Sequence, residues 1–104
     1  MLNLKFYLVS LFIFVVSSAV AEEVTPTAVG CDTDSGICFV KLKEPFSSGT
    51  CPNKSQLRMD PTKPGTEGQF SVALAAFMAG KKLEVGSVRC FHDFVEPSTL
   101  YVIQ

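Results

Sequence analysis

TEGQFSVALAAFMAGKKLEV, residues 66–85, decides the fold, because it reads as one capped helix running straight into a strand. Thr66 stands at the start with Gln69 three residues on, the spacing of a capping box. Phe70, Ala73, Leu74, Phe77 and Met78 follow at i, i+3, i+4, i+7 and i+8, predicting one apolar stripe turned toward a core. Gly80 falls where a left-handed residue ends a helix, and Lys81 and Lys82 lie near its negative end. Leu83 and Val85 then alternate with charged neighbours, as in a half-buried strand.

Before this stretch, residues 1–21 read as a cleaved signal peptide. Lys5 is a thin basic flank, Phe6 to Val16 an apolar core, and Ala19-Val20-Ala21 the small residues of a cleavage site. A retained anchor is the alternative, although the apolar run is short for a membrane span. Cleavage would leave a single domain, residues 22–104, with eight basic and ten acidic side chains. That balance offers no electrostatic footprint for nucleic acid and no polybasic signal for membrane. Exported chains are disulfide-permissive and a domain this short has a small core, so the four cysteines predict staples. Three pairings are formally open. The turn-rich DTDSGI between Cys31 and Cys38 favours a local bridge there, which leaves Cys51 to Cys90. The cysteine spacings lack a zinc knuckle, and no metal or cofactor motif is present.

Residues 22–30, EEVTPTAVG, begin frayed and become extended, with Pro26 at an edge or entry position. GICFVKLK, residues 36–43, is the clearest strand: Cys38, Val40 and Leu42 point inward, Phe39, Lys41 and Lys43 outward. Residues 44–55 are a loop by composition, and Asn53-Lys54-Ser55 within it matches a glycosylation acceptor. QLRMD, residues 56–60, alternates with Leu57 and Met59 inside, and PTKPG, residues 61–65, is a turn. Val88 and Cys90 are out of phase with Leu83 and Val85, which predicts a bulge near Gly86. FHDFVEPS, residues 91–98, reads as a loop, and residues 99–104 as a last strand.

His92 is the only histidine, and neither Ser71 nor Ser87 is placed against it by sequence. A triad is a spatial arrangement, so the adjacent Asp93 proves nothing, and no catalytic residue is predicted. Asp32 with Asp34, and Asp93 with Glu96, read as solvated turn residues, or at most a weak cation site. The best candidate for ligand binding is the cluster Phe91, His92, Asp93 and Phe94, which sets aromatic faces beside hydrogen-bonding groups. Lys41, Lys43 and Arg58 form a lesser basic stripe, and Phe39 and Phe46 are candidates for exposed contact residues.

Three strands, a helix and two strands is the order of an OB-type small barrel, so the expected fold is mainly β: five strands closed by one helix and two staples. Several short motifs carry a closer likeness: CFVKL on a strand (residues 38–42), Cys51 after a polar loop, an apolar helix ending Ala79-Gly80-Lys81-Lys82, then Cys90, a proline-containing loop and an apolar terminal strand. In these the chain resembles the secreted OB-fold B subunits of subtilase-type bacterial toxins. That resemblance implies a homo-oligomeric ring of five that binds cell-surface glycan and delivers a separate enzymatic subunit. With the leader and the missing catalytic motifs, the expected protein is a secreted or periplasmic, non-catalytic binding module without a cofactor. The alternative is a protein–protein interaction factor, an inhibitor or accessory subunit.

Overall fold

A computed structural model describes residues 21–104; the predicted leader up to residue 20 lies outside the described residues. The chain forms β1 (Glu22–Val24), β2 (Pro26–Cys31), β3 (Cys38–Leu42) and β4 (Asn53–Met59), then α1 (Thr66–Ala79), then β5 (Lys82–Val85), β6 (Val88–Phe91), β7 (Phe94–Pro97) and β8 (Leu100–Ile103). These eight strands make two sheets, ordered β1-β5-β8 and β2-β3-β4-β7-β6. The fold is thus mainly β with one helix, but it has two sheets where five strands in a closed barrel were expected. Among the described residues only β4 with β7 runs parallel; the other pairings are antiparallel.

The extra strands arise where a single run of sequence bends. The bulge expected at Gly86 is a corner, at which the chain leaves β5 in one sheet and enters β6 in the other. A second corner at Ser98–Thr99 lies against it: Gly86 N–H donates to the Thr99 carbonyl at 3.0 Å and Ser98 N–H to the Ser87 carbonyl at 2.7 Å. A side chain at position 86 would run into the Thr99 hydroxyl, so glycine is required by space rather than by φ. Sheet-to-sheet corners of this kind are made by bends in continuous strands. The phase break between Val85 and Val88 is therefore explained, but by a change of sheet rather than a bulge.

Two further expectations are corrected. Residues 91–98 are not a loop: Phe91 pairs with Phe94 across the two-residue turn His92-Asp93, closing a β6–β7 hairpin. Both turn residues have positive φ, 50° and 70°, which matches the right-handed twist of the flanking strands. The loop at 44–55 is also shorter than expected, since Asn53 already opens β4. The Asn53 N–H bonds the Asp93 carbonyl at 2.9 Å, so parallel pairing with β7 outweighed the local turn composition.

The core holds Val24, Val40, Leu42, Leu57, Met59, Leu83, Val85, Val95 and Leu100, and Phe46 joins it at 2% exposure. Phe46 was a candidate exposed contact residue; its N–H bonds the Lys54 carbonyl and its ring goes inward. The helix enters this core through Ala73 and Ala76, with Phe70 and Val72 partly buried, while Leu74, Phe77 and Met78 are exposed. The expected stripe is thus rotated. Small residues let the helix axis approach the sheets, and two polar tethers hold that rotation. The Thr66 hydroxyl donates to the Asp60 carbonyl, and the Gln69 amide donates to the Pro97 and Ser98 carbonyls at 3.2 and 3.3 Å. Both side chains are therefore engaged elsewhere, and no side chain caps the helix start at Gly65. Gly80 does adopt the left-handed C-terminal conformation, φ 68°.

Both disulfides form as expected, Cys31–Cys38 and Cys51–Cys90, with S–S distances of 2.05 and 2.08 Å. The first joins directly opposed residues of β2 and β3; the second ties the approach to β4 to β6. Loop-closure entropy scales with the enclosed chain, here 7 against 39 residues of separation. Paired alanine replacement is expected to cost about 4 kcal/mol for Cys51–Cys90 and about 2.5 kcal/mol for Cys31–Cys38. Urea midpoints of the two double variants check the ranking.

The first strand carries a pH-sensitive anchor. The Glu22 carboxylate accepts the Ser47 N–H at 2.8 Å, the Ser47 hydroxyl at 2.9 Å and the Ser48 hydroxyl at 2.8 Å. Burial pushes this carboxyl up, but the hydrogen bonds from Ser47 and Ser48 outweigh burial and hold it below its ordinary value. The unfolded chain then binds the proton more readily, so the contribution is whole above the ordinary carboxylate range and is lost as pH falls through the depressed value. A Glu22→Gln variant is expected to show a shallower loss of stability across that acid window, read from urea midpoints at successive pH values.

Candidate functional site

The candidate site is built on the outer face of the five-stranded sheet. Period-two alternation sends Val40, Leu57, Met59 and Val95 into the core, which leaves Phe39, Arg58 and Phe94 on the other side. Register then aligns them: Gly30 faces Phe39 across β2 and β3, and Phe39 faces Arg58 across β3 and β4. Phe39 lies over Gly30, where a side chain would meet the ring at 3.0 Å, so the aromatic fills the space that glycine leaves open. The Arg58 guanidinium stacks over the Phe94 ring at 4.0 Å from its centroid and donates from Nε to Gln56 Oε1 at 3.0 Å. Phe94 faces Phe91 across the hairpin, and Phe91 stacks on His92 with centroids 4.2 Å apart. A strip of three aromatic rings, a guanidinium and an imidazole therefore crosses all five strands.

Two connections border the strip. At one end, loop 32–37 is shaped by Asp32, whose Oδ1 accepts the Asp34 N–H at 2.8 Å, while the Asp32 N–H bonds the Ile37 carbonyl at 2.8 Å. Asp32, Ser35 and Ile37 then line a notch of about 70 Å³ with Phe39 and Arg58. At the other end is the His92-Asp93 turn. Left-handed backbone is uncommon for residues other than glycine, though Asp and His tolerate it better than most. The Asp60 carboxyl is held low first by the Thr62 N–H and then by its hydroxyl, with the positive fields of Lys63 and His92 adding to this.

All four predicted site residues, Phe91, His92, Asp93 and Phe94, are brought together at this end of the strip. Phe94 is half-buried, and Arg58 covers it on the outer face. What the sequence reading missed was the junction: Phe39 and Arg58 were weighed separately, the latter with Lys41 and Lys43 as a basic stripe. Lys41 does share the face, opposite Gln56. His92 has no hydrogen bond to Ser71 or Ser87 among the described residues; Ser71 is on the helix and Ser87 at the β5–β6 corner.

Glu96 corrects another expectation. Read as a solvated turn residue, it is only 3% exposed. Its carboxylate accepts the Asp60 N–H at 2.9 Å and Arg89 Nε at 2.8 Å, with Lys63 Nζ at 3.5 Å. These bonds tie the end of β4 to β6 and β7 and so fix the sheet that carries the strip. A larger cleft, about 620 Å³, lies between the helix start and loop 61–64. Pro61, Pro64 and Phe70 wall it, and Lys63 on its rim is already engaged by Glu96. Size alone does not make it the stronger candidate, because the strip concentrates stacking surface and directional donors.

No protein-family model matches the chain, and no curated protein or solved structure matches it significantly. Among the described residues, no helix is long and apolar enough to cross a membrane, and no cluster of His, Cys, Asp or Glu is arranged to hold a metal ion.

Removing the buried carboxylate tests how the site is held. Glu96→Ala strands the Asp60 N–H and ends the charge-assisted bond to Arg89, at an expected cost of about 2–3 kcal/mol. Chemical denaturation checks the loss, and the conservative Glu96→Gln variant should recover part of it.

Proposed function

We propose that this protein is a secreted, non-catalytic binding module whose ligand is carbohydrate, held on the outer strip from Phe39 through Arg58 and Phe94 to His92. The single observation that carries the reading is the alignment of stacked aromatic and charged side chains on one sheet face, between two shaped connections. Flat rings supply apolar contact to a sugar face, while Arg58, Lys41, Gln56 and His92 supply directional hydrogen bonds. Cys31–Cys38 and Cys51–Cys90 suit an oxidising compartment.

Strand pairing supports an OB-like reading of the architecture. Taken as bent single strands, β1 with β2, β5 with β6 and β7 with β8 leave five: β1/β2, β3, β4, β5/β6 and β7/β8. Their neighbours are then first with second, second with third, third with fifth in parallel, fifth with fourth, and fourth with first. In OB-folds, ligands lie on the face of the second and third strands, between the first and last connections. Here those are β3 and β4, bordered by loop 32–37 and the His92-Asp93 turn. Likeness of fold does not establish a ligand, so the resemblance to toxin B subunits remains part of the proposal.

A glycan array probed with the oxidised protein tests this reading. Binding to a defined set of glycans is expected, weakened about tenfold to a hundredfold by Arg58→Ala or Phe94→Ala, the cost of removing a central contact of roughly 1.4–2.7 kcal/mol. Circular dichroism should show that both variants remain folded. A featureless array at high protein concentration, with the fold intact, would count against carbohydrate and favour a protein ligand.

A further inference from the structure

The helix has two apolar faces, and only one of them is used. Ala73 and Ala76 are fully buried in the core, whereas Leu74 is 39%, Phe77 37% and Met78 75% exposed. Leu74 and Met78 stand four residues apart on one outer stripe with Phe77 beside them, and Glu67 and Ser71 continue that stripe as polar positions toward the helix start. A partly solvated helix with a second seam of this kind lacks a partner among the described residues.

We propose that a second copy of this chain is that partner, joined through antiparallel pairing of the two α1 helices about a two-fold axis. The argument rests on charge. In a two-fold contact the same patch serves both copies, so any charge near the axis faces its own kind. Here the middle of the seam, Leu74, Phe77 and Met78, is uncharged, and charges of opposite sign stand at its two ends: Glu67 in the first turn, Lys81 and Lys82 just beyond the last. Antiparallel pairing that sets Leu74 against Met78 brings the first turn of each helix toward the Gly80 end of the other. Glu67 of each copy is thereby brought toward the end of the other helix, beside which Lys81 and Lys82 stand. A parallel pair would set Glu67 against Glu67 and lysines against lysines. The helix dipoles also favour the antiparallel sense.

The basic pair is available for this role. Lys82 is exposed and meets the equally exposed Glu23 only at 3.9 Å, a contact that solvent screens. Lys81 donates to the Gln104 side chain at 3.2 Å, which keeps it at the helix end.

Sedimentation and light scattering of the exported, oxidised protein over a concentration series test the proposal. A mass of two chains is expected at high concentration, falling toward one on dilution. Met78→Glu should raise the dissociation constant about a hundredfold while leaving circular dichroism unchanged, since the side chain is mostly outside the fold. Glu67→Lys and Lys82→Glu should each weaken association, and the two together should restore it. A mass of one chain throughout, a mass of five chains, a dimer indifferent to Met78→Glu, or a double variant no better than its parents would each overturn the two-fold arrangement.

Discussion

The two corners at Gly86–Ser87 and Ser98–Thr99 bend together, and the rest of the molecule depends on that shared bend. Two antiparallel segments leave one sheet and enter the other side by side, keeping their hydrogen bonds to each other as they turn. A chain this short cannot fill two independent sheets with separate cores. Continuous strands through the corner let β5 and β8 bury Leu83, Val85 and Leu100 against the Val40, Leu57 and Met59 of the other sheet. The glycine is required because the Thr99 hydroxyl occupies the space of any side chain there. Beyond the corner, the Cys51–Cys90 bridge holds β6 to the approach to β4, and Glu96 repeats that tie with hydrogen bonds from Asp60 and Arg89.

Where sequence pattern and local geometry obeyed one rule, the fold was legible. Alternation in CFVKL and QLRM located the inner and outer faces of β3 and β4 correctly, because period two leaves no freedom once Val40 and Leu57 go inside. The cysteine pairs followed from the turn between Cys31 and Cys38. Residues 91–98 were misread because no Asn-Gly or Asp-Gly marked the turn; His92 and Asp93 take the left-handed backbone that glycine normally supplies. Gly86 signalled a local defect but not its kind, since a bulge and a change of sheet produce the same break in phase.

The helix shows a different limit. Apolar residues occupy so much of its circumference that period alone could not say which stripe turns inward. Position was settled by groups outside the pattern: the Thr66 hydroxyl on the Asp60 carbonyl and the Gln69 amide on the β7–β8 corner. These side chains had looked like capping residues, and their use as tethers is what rotated Leu74 and Met78 outward. The candidate site was partly legible for the same reason. Phe91 to Phe94 stood out as a contiguous motif, whereas Phe39 and Arg58 are brought to it only by register across β3, β4 and β7.

Placement of the two proposed surfaces matters for what the molecule would do. The strip lies on the outer face of the sheet β2-β3-β4-β7-β6, while the helix packs through Ala73 and Ala76 into the core on that sheet's inner side. Occupying one surface therefore leaves the other open. Single-site recognition of sugars on a shallow face is weak, because little of the ligand leaves water. A two-fold pair would carry two strips, and a surface bearing several copies of a glycan converts the second encounter into an intramolecular one. That gain reaches about 10²–10⁴ without any new contact, provided both strips reach the surface together. The exposed helix stripe, costly for an isolated domain in water, would then have a physical reason to persist: pairing through it would double a proposed binding face too flat to hold a sugar alone.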